Sequence, residues 1–404
     1  MKESRVQNEL AQGQAISIIG LVDALVEEAH NLRASDVHID PDGKTVRVRM
    51  RIDGVLQDAH VFPKEIESEV ITRIKVLAGL RTDEHQTPQD GRFRIILEES
   101  GPIDIRVSIA PAYYGENAVL RLLSEHAEKF SLEMLGLSQE NQEKVRYAIR
   151  NPYGMILSTG PTGSGKTTLL YTILKQLNTR EVSIVTIEDP IEYAIEGINQ
   201  IQVNARTGLT FANGLRSILR QDPNIIMVGE IRDSETAGLA VNTALTGHLV
   251  LSTLHTNDAA TTLPRLLDLS MEPYLITATV NIVIGQRLVR KICNACTMEH
   301  KLTKEEEKSL SKMEGAAIFD KTKKLWHGKG CDECNQSGYH GRIGIYEVMP
   351  IDDSIREAML KRLSSSDIKK IAVSKGMKTM VHDGFEKAAQ GITTLEEVLR
   401  VIHE

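Results

Sequence analysis

Residues 155–177 read MILSTGPTGSGKTTLLYTILKQL, and this stretch decides the fold. Met155 to Ser158 is a short apolar run, the pattern of a buried strand. Gly160-Pro161-Thr162-Gly163-Ser164-Gly165-Lys166-Thr167 satisfies G-x-x-x-x-G-K-[ST]. Thr167 to Leu177 then reads as a helix. Strand, glycine-rich turn and helix in this order make a phosphate cradle. The glycines let backbone N–H groups turn inward around phosphate oxygens. Lys166 is placed to reach the β- and γ-phosphates, and the Thr167 hydroxyl to ligate Mg²⁺, with Thr168 in the same nucleotide-binding set. The helix N-terminus adds its partial positive charge. ATP and Mg²⁺ are the expected ligands. The alternative is a chance glycine-rich turn, and the flanking strand and helix argue against it.

Downstream, apolar runs recur at Ile184 to Ile187, Ile225 to Val228 and Leu249 to Ser252. Such runs fit buried parallel strands of a layered α/β domain. Ligands of open α/β sheets sit at the carboxyl ends of the strands. The first run leads into Glu188-Asp189-Pro190-Ile191-Glu192, the second into Gly229-Glu230-Ile231-Arg232-Asp233, and the third into Thr253-Leu254-His255. ATP hydrolysis needs Mg²⁺ ligands, a carboxylate to orient water, and cations for transition-state charge. Glu230 stands where a Walker B acid acts through Mg²⁺ or its waters, although Gly229 replaces the usual aspartate. Glu188 is expected to position the attacking water. His248 and His255 are candidates to sense the γ-phosphate. The competing readings are helix caps for the carboxylates and hydrogen-bonded core residues for the histidines.

Upstream the pattern is different. Ser17 to Leu32 reads as an amphipathic helix with Ile18, Val22, Leu25 and Ala29 on one face. Thr45 to Ile52 alternates, with Val46, Val48, Met50 and Ile52 on one face and Arg47, Arg49 and Arg51 on the other. Asp53-Gly54 is a turn, and Val55-Leu56 resumes the apolar pattern. The arginines form either a solvated face or a surface for a partner. Strand character continues through Gly91 to Leu97 and Ile103 to Ile109. These features predict a smaller α+β domain over 1–123 and a charged linker at Ser124 to Lys129, extended to residue 135. The nucleotide-binding core is expected over 136–290, a cysteine module over 291–347 and a helical region over 348–404. Thr394 and Glu397 suggest a capping box on the last helix.

The 404 residues suffice for two or three domains. A formal net charge of −7 argues against wholesale nucleic-acid binding, and 4% aromatics with one tryptophan, Trp326, argue against base stacking. An apolar run of roughly 18 residues, the length of a membrane span, is not found. Met1 to Leu10 lacks the apolar centre of a signal peptide, so a cytoplasmic location is expected. The four cysteines, Cys293, Cys296, Cys331 and Cys334, form two C-x2-C pairs. Four thiolates in tetrahedral array suit structural zinc. The long separation between the pairs predicts an inserted helix around Lys304 to Lys312. Free cysteines and a redox pair are the other readings.

Taken together, four motifs resemble the secretion ATPase superfamily that powers type II secretion and type IV pilus assembly. They are the Walker A loop at 160–167, TIEDPIE at 186–192, LRQDPNIIMVGEIRD at 219–233 and TGHLVLSTLHTNDA at 246–259. ASDVHIDP at 34–41 resembles the family's second N-terminal domain, and the likeness runs from about Ala15 to the end. The resemblance implies a RecA-like P-loop ATPase domain preceded by a smaller α+β, PAS-like domain, with a tetracysteine zinc module and C-terminal helices. It implies a homo-hexamer with ATP bound between the two domains of a subunit. Arginines of the smaller domain reach the phosphates in this family, and the matching positions are Arg92, Arg106 and Arg121. Arginine suits that task because its charge is fixed and its fork matches phosphate oxygens.

Asp222-Pro223-Asn224 departs from the family's D-P-D, with little effect expected on hydrolysis. Many relatives also carry an additional N-terminal domain, so the chain reads as a short natural member or a truncated one. The cysteine module followed by GYHGRIGIYE at 338–347 resembles extension and secretion ATPases, not retraction or archaeal ones. The implied partner is an inner-membrane platform protein, with no direct nucleic-acid contact. A nucleic-acid translocase of DNA uptake or conjugation is the competing function. A small-molecule kinase is a third, without support from the acidic and histidine boxes.

Overall fold

A computed structural model describes residues 4–97, 101–123, 130–302, 319 and 324–403. The chain forms two compact units, Met1–Ala127 and Glu128–Glu404.

The first unit opens with α1 (Arg5–Leu10) and α2 (Ile18–Asn31), the latter capped by Ser17, whose Oγ accepts from Gly20 N at 3.1 Å. β1 (Ala34–Pro41), β2 (Thr45–Ile52) and β3 (Val55–Pro63) follow, then α3 (Glu67–Leu77), β4 (Gln89–Leu97), β5 (Gly101–Ala112) and β6 (Gly115–Leu123). The sheet order is β3-β2-β1-β6-β5-β4, with antiparallel pairing throughout. Asp53 and Gly54 both take positive φ, 48° and 86°, as a two-residue hairpin turn requires. Val46, Val48 and Met50 of β2 are buried with Val37 and Ile39 of β1, Ile105 and Ile109 of β5, and Leu120 of β6. Leu21, Val22 and Leu25 of α2 and Val70, Ile71 and Ile74 of α3 belong to the same core. The period of two therefore puts one sheet face against the helices and turns the arginine-bearing positions to the other.

The second unit contains α4 (Gln139–Ala148), β7 (Gly154–Thr159), α5 (Lys166–Leu177), β8 (Ile184–Glu188) and β9 (Asn199–Gln202). It continues with α6 (Phe211–Ile218), β10 (Ile225–Val228), α7 (Ser234–Leu245), β11 (Leu249–Leu254), α8 (Ala259–Asp268), α9 (Pro273–Thr279) and β12 (Val280–Ile292). Then come β13 (Thr297–Lys301), β14 (Lys324–Gly328), β15 (Tyr339–Pro350), α10 (Asp353–Leu360), α11 (Ser365–Ser374), α12 (Met380–Ala389) and α13 (Leu395–His403). The main sheet runs β15-β12-β7-β11-β10-β8-β9. Its pairs are parallel except β15 on β12. β7, β8, β10 and β11 are buried at every residue, as strands covered on both faces must be.

Three expectations need correction. Residues 130–135, placed in the linker, belong to the second unit: Leu132 is buried, and the Leu135 carbonyl accepts from Gly344 N at 3.0 Å and Tyr346 OH at 3.1 Å. The cysteine module does not begin at 291 and end at 347, because β12 and β15 are strands of the main sheet that pair as far out as Ile292↔Tyr339. Only one arm of the capping box forms. Thr394 Oγ1 accepts from Glu397 N at 3.2 Å, while the Glu397 carboxylate turns to Arg290 and Arg400. The linker core at 124–129 and the helix expected at Lys304 to Lys312 lie outside the described residues.

Candidate functional site

β7 delivers the chain to Gly160 in a fully buried strand, and α5 begins at Lys166. Between them the loop depends on glycine at two points. A Cβ on Gly160, whose φ is 149°, would lie 2.4 Å from the Gln286 carbonyl and 2.7 Å from Ser164 Oγ. Gly165, the residue before α5, has φ 88°. β12 supports the loop from the side: Gln286 Nε2 donates to Ser164 O at 2.7 Å, and Ser158 Oγ donates to Gln286 Oε1 at 3.4 Å. Ser164 Oγ is buried and has no partner among the described residues, which suits an anion in the loop. Lys166 Nζ donates to the carbonyls of Gly160 at 2.8 Å and Pro161 at 2.9 Å. Burial pulls its pKa down to about 8, against the opposing pull of Glu230.

Adjacent strands bring the other candidates to the same end of the sheet. β7, β11, β10 and β8 are consecutive neighbours, and their carboxyl ends lead to Gly160, His255, Glu230 and Glu188. Glu230 Oε2 lies 3.1 Å from His255 Nε2 and 2.6 Å from Arg232 Nε. Glu188 is 2% exposed. Its Oε1 accepts from Thr186 Oγ1 at 2.6 Å and Gln200 Nε2 at 3.2 Å, and its Oε2 accepts from the Tyr171 hydroxyl of α5. Burial pushes its pKa above the ordinary carboxylate value despite those bonds. The direction suits a general base, but every oxygen is engaged. Oε2 carries one of these bonds, so it keeps a second lone pair with which a water could be held.

His248 does not join this group. It precedes β11, and the six residues Leu249–Leu254 separate it from His255. Its carbonyl accepts from Gly154 N at 3.1 Å and its Nδ1 lies 3.1 Å from Thr243 O, at the amino end of the strands. A role beside the γ-phosphate held by its own chain's loop is excluded by this placement.

In the first unit the three arginines share one line. Arg92 stands opposite Arg106, and Arg106 opposite Arg121. The line continues through Asp36 of β1 to Arg51 of β2. Residues missed from sequence are Gln286, Arg232, Tyr171 and Asp36. A glutamine inside the apolar run VNIVIGQRLV was the one local signal among them.

The cysteines fit a metal. Cys293 Sγ is 3.8 Å from Cys331 Sγ, Cys296 Sγ is 3.8 Å from Cys334 Sγ, and Cys331 and Cys334 are 3.7 Å apart. The four Sγ atoms all lie within 4.8 Å of one another. Zinc bonded to four sulfurs at about 2.3 Å in a tetrahedron sets them about 3.8 Å apart. Backbone N–H groups of Cys331 and Gly338 each donate to Cys334 Sγ at 3.3 Å, the support a thiolate receives in such sites. Cys331→Ser should reduce bound zinc from about one per chain to near zero and lower the melting temperature of the C-terminal portion before that of the nucleotide core. Metal analysis with calorimetry reads both. Zinc-free wild-type protein, or melting indifferent to the substitution, contradicts a structural zinc.

The family model for "Type II/IV secretion system protein" matches residues 11–400. The chain belongs to the type II/IV secretion system protein family. It is 48% identical over 378 residues to the type IV pilus assembly ATPase PilB of Thermus thermophilus, covering 94% of this chain and 42% of that protein. It is 45% identical over 387 residues to the type II secretion system protein E of Dickeya dadantii, covering 96% of this chain and 76% of that protein. The pilus retraction motor PilT solved with bound ADP superposes with a TM-score of 0.63 at 26% identity, over 93% of this chain and 95% of that one. This secretion ATPase has the α/β fold of the family, uses ATP and Mg²⁺, and carries a four-cysteine set that could hold zinc. Among its described residues no helix is long and apolar enough to cross a membrane.

Proposed function

We propose that this chain is the subunit of a hexameric motor whose ATP cycle drives pilin or pseudopilin assembly through an inner-membrane platform protein. It works at the cytoplasmic side of that membrane, attached through its partners. The observation that carries the reading is the convergence of Lys166, Glu230, His255 and Glu188 at the ends of four neighbouring strands. The Walker loop from Gly160 to Thr168 holds the triphosphate, Lys166 neutralises its β- and γ-phosphates, and Thr167 and Glu230 serve Mg²⁺ directly or through water. His255, bonded to Glu230, links the metal side of the site to the γ-phosphate. Glu188 orients the attacking water. The cysteine set supports extension or secretion over retraction.

Phosphate release from MgATP, measured with and without DNA and paired with native mass measurement, tests this reading. The expected result is turnover unchanged by DNA and a six-chain species with nucleotide. Marked stimulation by DNA points to a nucleic-acid translocase instead, and a strictly monomeric active enzyme removes the ring.

A further inference from the structure

Gln286 is a buried amide, 1% exposed, in the strand that flanks the Walker loop. β12 pairs with β7 as far as Gly285↔Thr159, so Gln286 is its first residue beyond that ladder, where β7 gives way to Gly160. A buried amide has to be answered by hydrogen bonds. Its Nε2 donates to Ser164 O at 2.7 Å, and its Oε1 accepts from Ser158 Oγ at 3.4 Å. A Cβ on Gly160 would stand 2.4 Å from Gln286 O, and one on Gly165 3.2 Å from Gln286 Nε2. One residue therefore lies against the loop both where it begins and where it turns into α5. The short bond fixes a peptide plane. The peptide between Ser164 and Gly165 is trans, so the Ser164 C=O and the Gly165 N–H point in opposite directions. With the carbonyl drawn to β12, the N–H is turned away from it. Rotated the other way, this peptide would offer an anion a carbonyl in place of a donor. Gly165, at φ 88°, has the freedom to allow that rotation, so the restraint has to come from outside the loop. Only a donor supplies it, because the Ser164 oxygen accepts.

We propose that Gln286 is a positioning residue for the nucleotide: its amide holds the Ser164 carbonyl against β12 and so aims the Gly165 N–H at the phosphates. This rests on the reading that the loop from Gly160 to Thr167 holds the phosphates of ATP. Gln286 is itself paired with Tyr346 of β15, so its donor is in place before nucleotide arrives. A loop held this way loses less freedom on meeting a phosphate than a mobile one, and the gain appears in affinity. A residue that only fastened the loop to β12 would instead show in stability.

The test is equilibrium binding of MgADP to the full chain carrying Gln286→Met or Gln286→Glu, with MgATP turnover and melting temperature measured alongside. Gln286→Met keeps the length and removes the amide. Gln286→Glu keeps the acceptor for Ser158 and replaces the donor with a second oxygen. At pH 8, Gln286→Met should weaken MgADP binding about tenfold, the effect of one buried hydrogen bond left unmade. KM for MgATP should rise similarly while kcat falls less than about threefold. Gln286→Glu should bind more weakly still, since an ionised carboxylate repels both the Ser164 carbonyl and phosphate. At pH 5.5 the order of the two variants should reverse. Burial raises the pKa of the introduced carboxyl, and its protonated form regains an O–H donor for Ser164 O, which methionine lacks. Lys166 titrates in both variants alike, so ranking them at one pH removes its contribution. Wild-type affinity in both variants at pH 8, with Lys166→Ala impaired, overturns the positioning role and leaves the phosphate reading intact. Gln286→Glu no tighter than Gln286→Met at pH 5.5, or a lowered melting temperature with affinity unchanged, also overturns it. Wild-type MgADP affinity in Lys166→Ala sinks the phosphate reading of the loop itself, and the role of Gln286 with it.

Discussion

Glu230→Gln should bind MgATP and fail to hydrolyse it, with phosphate release falling at least about 100-fold. The substitution preserves size, so β10 and its buried neighbours Ile226, Met227 and Val228 are undisturbed. What changes is charge. Glu230 Oε2 meets both His255 and Arg232, and it is the acid whose field opposes the depression of Lys166. Removing that charge leaves His255 and the two cations Arg232 and Lys166 without their carboxylate. A 100-fold loss corresponds to about 2.7 kcal/mol, within the usual range for one electrostatic partner of a reacting group. Equilibrium binding of a fluorescent nucleotide, beside single-turnover phosphate release, separates the two effects. Near-normal release, or loss of binding with the chemistry intact, contradicts the assignment.

Lys166→Ala should abolish turnover by the other route, through weakened nucleotide binding. Lys166 Nζ sits between two loop carbonyls, and the buried Ser164 Oγ of the same loop has no partner among the described residues, so the alanine variant offers the β- and γ-phosphates a loop that lacks its cation. Turnover is expected to fall by roughly two orders of magnitude or more. The wild-type protein carries a pH signature of the same group. Burial favours the neutral amine, so the free protein titrates at about 8. The protonated form binds phosphate. Binding is therefore strongest below that pH and weakens as pH rises through it, at most about tenfold per unit. Bound phosphates oppose the loss by favouring the charged amine. Nucleotide titrations at pH 7 and pH 9 check the direction, and the same weakening in Lys166→Ala would assign it to another group.

The placement of the candidate nucleotide site was legible because it is local. Strand, loop and helix from Met155 to Leu177 are contiguous, and Glu188, Glu230 and His255 each follow a short apolar run whose end the sheet presents on one side. The hairpin at Asp53-Gly54 was legible for the same reason. What escaped depends on pairing between distant strands. Asp36 and Arg121 are 85 residues apart, and only the register of β1 on β6 reveals that they meet. Gln286 comes 122 residues after Ser164, and the placement of β12 beside β7 was not written in either segment alone. His248 illustrates the converse. It shares the box TGHLVLSTLH with His255, yet a strand running between them carries the two rings to opposite ends of the sheet. The domain boundaries at 291 and 347 failed because composition changes at the cysteines, whereas hydrogen bonding continues through both strands.

β12 has a mechanical consequence. It is a 13-residue strand, which at about 3.3 Å per residue spans roughly 43 Å. Its first half is bonded on both edges, to β7 and β15, so it cannot slide without tearing a ladder. Midway along, Gln286 grips the Walker loop, and the residue immediately past its end is Cys293. The Walker loop and the cysteine cluster are therefore tied to one strand, whose path between them holds a single register irregularity, between Arg290 and Ile292.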